Sequence, residues 1–190
     1  MSSVAAAVAD GEDEGEEYSK AEVATCAGVT VAVAVLLWFL GHHALGIAVV
    51  FLMPAAFVDA RDRLLPDALT LPAIGAALTY NGFTGHSVEA TIGAGLGILA
   101  LMLVFYFRPE RVGLGDVKMI AALGAAMGPE LLMVSIVVAS VAGGVVMVAS
   151  KRFRSLGVPM GPFFIVAASL IAVVSTMLPS AMMPFGHVRF

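Results

Sequence analysis

Two carboxylates carry the chemistry available to this chain. Asp59 stands in Phe57-Val58-Asp59-Ala60-Arg61-Asp62-Arg63-Leu64-Leu65-Pro66-Asp67, at the end of a long apolar stretch. Asp116 stands in Gly113-Leu114-Gly115-Asp116-Val117-Lys118, where another apolar stretch begins. An ionisable group within or at the edge of a membrane span is costly, which makes it a functional candidate. Two acids that share a site do not both ionise easily, so one keeps its proton. The ionised acid can take a proton from water, and the protonated one can donate to the carbonyl oxygen of a peptide bond. That is aspartic hydrolysis. Gly113 and Gly115 would let the backbone pass close to a substrate and kink before Asp116. The plainer alternative is a set of interfacial charges paired with Arg63 and Lys118. Arg63 lies four residues beyond Asp59, on the same face of a continuing helix. A second alternative uses the aspartates as a proton or cation path in a small transporter or channel.

The elements that position these residues follow from composition. Of 190 residues, 60% are apolar and 13% charged, against about 45–50% and about 25% in soluble domains. This excludes a soluble enzyme, a disordered chain and a nucleic-acid binder, and leaves an all-α polytopic membrane helix bundle embedded in the lipid bilayer. Spans are expected at Val23–Leu40, Ala44–Val58, Ala68–Phe83, Ala90–Phe107, Asp116–Gly128, Leu131–Ser150 and Met160–Leu178. The fifth is the weakest by hydropathy, because Asp116 and Lys118 interrupt it. A six-span version would merge the first two segments at Gly41-His42-His43.

Lys and Arg in short loops mark the cytoplasmic side. Lys20, Arg61 and Arg63, Arg108 and Arg111, and Lys151, Arg152 and Arg154 then fall on one side, with Arg189 outside the pattern. About seven helices with a cytoplasmic N-terminus satisfy this rule, and both aspartates reach the cytoplasmic edge although 57 positions separate them. Residues 1–22 hold seven acids and one base, so residues 1–20 are expected to form an acidic disordered tail ahead of a membrane-embedded domain over 21–190. The single cysteine, Cys26, excludes an intrachain disulfide and a CxxC metal or redox site.

With these residues in view, the chain resembles the type IV prepilin peptidases and archaeal preflagellin peptidases, membrane aspartic proteases of the GxGD type. Four features carry the resemblance. One is Asp59 followed by Pro66-Asp67 with Leu69-Thr70 close behind. The second is Gly113-x-Gly115-Asp116-x-Lys118. The third is the small-residue run Ala121-Ala122-Leu123-Gly124 continuing to Gly128. The fourth is Pro159-Met160-Gly161-Pro162, followed by Phe163. Order and spacing agree over roughly residues 45–175.

The resemblance implies a multi-pass enzyme of the cytoplasmic (inner) membrane whose active site faces the cytoplasm. It would remove the leader of pilin-like precursor proteins, with Asp59 and Asp116 as the catalytic pair. No cofactor or metal is implied. Gly113, Gly115, Lys118, Arg63, Pro66, Asp67, Pro159, Gly161 and Pro162 are the supporting candidates. Many bacterial members carry a cytoplasmic insertion with two CxxC pairs and a methyltransferase activity. Only Gly41-His42-His43 follows the first span here, so a peptidase without methyl transfer is expected.

The remaining residues have plainer readings. Asp62, between Arg61 and Arg63, suits a solvated salt bridge. Asp67, after Pro66, suits a cap on the third helix. Lys118 is two residues from Asp116, off its helix face, and suits snorkelling to the headgroups. His42 and His43 suit interfacial positions in a far-side turn. Asp116 starts a helix, where the dipole favours an anion, and Asp59 ends one, where it does not. On that ground Asp116 is expected to be the base and Asp59 the acid, although a pair with Arg63 would oppose this.

Overall fold

The computed structural model describes residues 18–107, 113–149 and 159–177. Its elements are α1 (Lys20–Phe39), α2 (His43–Asp62), α3 (Asp67–Thr84), α4 (Ser87–Phe107), α5 (Leu114–Ala149) and α6 (Met160–Met177). No strand occurs among the described residues. The fold is the expected all-α polytopic membrane bundle. By length and composition, α1, α2, α4, α5 and α6 can each cross a membrane.

The expected fifth and sixth spans form one helix, α5, broken at Gly128 (φ 75°, ψ 176°). The break is sharp enough to turn the chain back on itself. Ser135 Oγ lies 3.9 Å from Met127 Sδ, and a Cβ at Gly124 would meet Leu132 Cδ2 at 2.9 Å. In a straight helix, residues eight apart would be separated by about 12 Å. Gly128 supplies the positive φ, and Pro129 ends the hydrogen-bond ladder because it has no N–H. The Ala125 carbonyl, whose helical donor would be residue 129, is satisfied instead by Asn81 Nδ2 of α3 at 2.8 Å. With this fold-back the described chain contains seven helical segments, at positions close to the seven expected.

The first leg of α5 forms the centre of the bundle. Residues 121–128 are all buried, and α5 packs against α4, α6 and α3. Small residues are needed there because other helices surround it. Gly124 and Gly93 of α4 touch backbone to backbone, so a Cβ on either would overlap the other's carbonyl. Helices in membranes approach most closely through such small residues. Val29, Val31 and Phe39 of α1 are exposed, as are Leu99 and Leu103 of α4 and Val137 and Val141 of α5. A bilayer covers faces of this kind.

Contacts sort the helix ends into two groups. Tyr18 meets Asp62, Asp59 meets Gly161, and Lys118 meets Asp67, so residues 18, 59–67, 113–118 and 159–162 share one end. His42 meets Ala172, and a recess joins His42, His43, Asn81, His86 and Ala126 at the other. Of the residues used for the side assignment, Arg61 and Arg63 lie at the first end. Arg108, Arg111, Lys151, Arg152, Arg154 and Arg189 lie outside the described residues, as does the tail over residues 1–17. Tyr18–Lys20 belong to the start of α1, where Ser19 and Glu22 form a capping box. The Ser-x-x-Glu pattern ahead of an apolar run was its sequence signal.

Candidate active site

Asp59 lies in the last turn of α2 and is 6% exposed. Its partner comes from 102 positions away: the Gly161 N–H donates to Asp59 Oδ2 at 2.9 Å. Gly161 is the second residue of α6, and N–H groups in a first helical turn have no intrahelical acceptor. They form a ready anion site, reinforced by the helix dipole. The Pro-x-Gly-Pro sequence suits this task. Pro159 precedes the helix, and Pro162 stands in the first turn, where a missing N–H costs nothing. Gly161 leaves room for the carboxylate. A Cβ there would stand 2.7 Å from Asp59 Oδ2 and 3.3 Å from its Cβ and Cγ.

Asp116 is the third residue of α5. The Gly113 N–H donates to Asp116 Oδ2 at 3.1 Å, and the Gly113 carbonyl accepts from Asp116 N at 3.1 Å and from Val117 N at 3.4 Å. The carboxylate thus closes the carboxylate half of a capping box over its own helix start. Gly115 lies directly against Leu65, whose Cβ would be 2.7 Å from a Cβ at 115. Through this contact and the Lys118–Asp67 ion pair, the fold brings the two expected aspartates to the same end of the bundle.

Several local expectations need correction. Asp67 does not cap α3. Pro66 holds the cap position without a side-chain cap bond, and the Asp67 carboxylate instead accepts from Lys118 Nζ at 2.6 Å. That ion pair also replaces the snorkelling expected of Lys118. Arg63 does not continue the helical face of Asp59, because α2 ends there with Arg63 in a left-handed conformation (φ 56°). The dipole argument for sorting acid from base also fails. Each aspartate lies at a helix N-terminus, Asp116 at its own and Asp59 at that of α6.

The other carboxylates near Asp59 have partners of their own. Asp62 is exposed and accepts from the Tyr18 hydroxyl. That bond raises the Tyr18 pKa above its ordinary value. Arg61 lies 4.6 Å above the Tyr18 ring and 3.3 Å from Glu22. Tyr18 and Leu65 escaped the sequence reading, since neither belongs to a motif and their contacts lie 44 and 50 positions away. At the opposite end, three-dimensional packing adds His86 to His42 and His43 around one recess. No group of three His, Cys, Asp or Glu among the described residues is placed to hold a metal ion.

A family model described as the type IV leader peptidase family matches residues 46–148, a stretch that includes both aspartates and stops short of Pro159–Pro162. The chain is similar to a prepilin leader peptidase/N-methyltransferase of Dickeya chrysanthemi, 33% identical over 163 residues, covering 79% of this chain and 58% of that protein. It is similar to one from Klebsiella pneumoniae, 37% identical over 139 residues, 68% of this chain and 60% of the relative. One from Pseudomonas aeruginosa is 33% identical over 127 residues, 61% of this chain and 44% of the relative. The chain therefore spans about half the length of these curated relatives. No solved structure matches it. With more than half of its residues matched to the family model, and with both aspartates inside the match, the chain belongs to the type IV leader peptidase family.

Proposed function

We propose that this protein is a membrane aspartic endopeptidase that cleaves the leader from pilin-like precursors at the cytoplasmic edge of the inner membrane. Asp59 and Asp116 are its catalytic pair. One observation carries this reading. Two carboxylates from helices far apart in sequence meet at one end of the bundle, each held by the N–H of a helix start. The chain's family supports it. On this reading all seven helical segments cross the bilayer, and the end holding Arg61 and Arg63 faces the cytoplasm.

Asp116, the more exposed of the two, takes a proton from the attacking water. The water oxygen bonds to the scissile carbonyl carbon, and Asp59 gives its proton to the carbonyl oxygen. When the tetrahedral intermediate collapses, the C–N bond breaks, Asp116 protonates the leaving amine, and Asp59 recovers its proton. The Gly161 N–H steadies Asp59 during each exchange. The proposal is confined to peptide hydrolysis. Methyl transfer, the other activity in the relatives' name, is checked by the mass of the cleaved product's N-terminus.

The test is to co-express the chain with a pilin precursor from its own genome and follow the precursor's size on a gel. Wild type is run beside Asp59→Asn and Asp116→Asn at matched membrane levels. Cleavage by wild type and its loss in both variants is expected. Cleavage that survives Asp59→Asn would move the role to Asp62 or Asp67. An intact precursor with well-inserted wild type, across several precursors, would return the aspartates to a proton or cation path.

A further inference from the structure

The Lys118–Asp67 ion pair joins two sequence motifs that are 51 positions apart. Asp67 is the first residue of α3, and Lys118 lies just beyond the first turn of α5. Four residues, Arg63 to Pro66, separate the end of α2 from Asp67. Within this turn Leu65 rests against the backbone of Gly115, in contact so close that a Cβ at 115 would overlap it. The chain can be followed as a closed circuit. It runs from Asp59 through the end of α2 and the turn to Asp67, across the ion pair to Lys118, and back by two residues to Asp116. The two carboxylates at which the circuit starts and ends lie at the same end of the bundle. Leu65 on Gly115 and Asp67 with Lys118 both bridge α5 to the turn and α3 at this end.

We propose that the Lys118–Asp67 pair is a positioning latch that sets the separation and mutual orientation of Asp59 and Asp116. The inference rests on the peptidase reading above and adds to it a role for two residues that do not perform the chemistry. Both side chains are partly open to solvent, 34% for Lys118 and 59% for Asp67. A pair so exposed adds little to stability. A reacting group displaced by about 1 Å, however, can lose about 100-fold in rate. The latch thus matters for turnover far more than for folding. Lys118 is held by Asp67 at 2.6 Å, which gives its charge a structural use apart from substrate.

The test uses the purified full chain in lipid nanodiscs with a pilin precursor. Four proteins are compared: wild type, Asp67→Lys, Lys118→Asp and the double exchange. The expected result is a loss of about ten-fold or more in kcat for each single variant. KM should stay within about two-fold, the thermal midpoint should hold, and most of kcat should return in the double variant. Amide hydrogen exchange over 63–67 and 113–118 should quicken in the single variants and slow again in the exchange. Unchanged kcat in the single variants would overturn the latch. So would a loss carried by KM that the exchange does not restore, which would make Lys118 a precursor contact. A fall in thermal midpoint alongside activity, with no rescue, would reduce the pair to a folding contact. Failure of wild type to cleave would sink the peptidase reading alone, because hydrogen exchange still reads the latch.

Discussion

Replacing Gly161 with alanine isolates the contact that links Pro159–Pro162 to Asp59. The new methyl group would stand 2.7 Å from Asp59 Oδ2 and 3.3 Å from Asp59 Cβ and Cγ. The carboxylate can rotate away from the first overlap, but doing so breaks the 2.9 Å bond from the Gly161 N–H. Rotation does not move Asp59 Cβ, so the start of α6 must also shift. A hydrogen bond to a charged group contributes about 1.5–3 kcal/mol. At about 1.4 kcal/mol per tenfold in rate, its loss from the transition state predicts a fall of roughly 10- to 150-fold in kcat/KM. If the protein acts as proposed, the assay is the initial rate of leader removal from a pilin precursor at matched protein levels. Gly75→Ala is the control. A Cβ at 75 meets nothing within 4 Å, so its activity should stay at wild type, with a stability gain of at most about 1 kcal/mol from better helix propensity. If Gly161→Ala cleaves within about twofold of wild type, the contact with α6 does not serve catalysis, and the site assembled around Asp59 is wrong.

Other perturbations separate the parts of the fold. Asn81→Leu strips the Ala125 carbonyl of its donor beside Pro129, and should destabilise the protein by about 1–3 kcal/mol, read as a lower thermal midpoint in detergent. Gly93→Val places a branched side chain against the Gly124 backbone. Backbone cannot yield as a side-chain tip can, so membrane accumulation should fall sharply on immunoblots while Gly95→Ala, where a Cβ meets nothing within 4 Å, accumulates normally. Burial lowers the pKa of His42 from its ordinary 6.5, and its Nε2–H donates to the Ala172 carbonyl at 2.9 Å. The folded chain therefore takes up a proton at His42 less readily than the unfolded chain, which does so below about pH 6.5. This contribution to stability should be full above that pH and decline as the pH falls below it, and His42→Gln should flatten the decline in melts run across that range.

Local properties were legible in the sequence. Long uncharged apolar runs specify membrane helices whatever surrounds them, because a hydrocarbon layer leaves the backbone few other ways to satisfy its polar groups. The seven expected segments accordingly match the helical segments of the structure closely, and Asp59 and Asp116 stood out because charge is rare in such runs. The fifth segment, weakest by hydropathy, proved to be the buried centre. Its small residues answer to neighbouring helices, which a hydropathy average over one segment does not register.

What only the tertiary structure decided is which polar group meets which. The Gly161 N–H reaches Asp59 across 102 positions, Lys118 reaches Asp67 across 51, and Asn81 reaches Ala125 across 44. The sequence alone placed Asp59 at the unfavourable end of its own helix. Packing set it at the favourable start of another. A helix dipole acts on whatever lies beside its end, whichever part of the chain supplies it. Helix formation depends on residues within one or two turns, and so can be read locally. The partner of a buried carboxylate depends on how separate helices are arranged in space, and that arrangement arises only when the whole bundle packs.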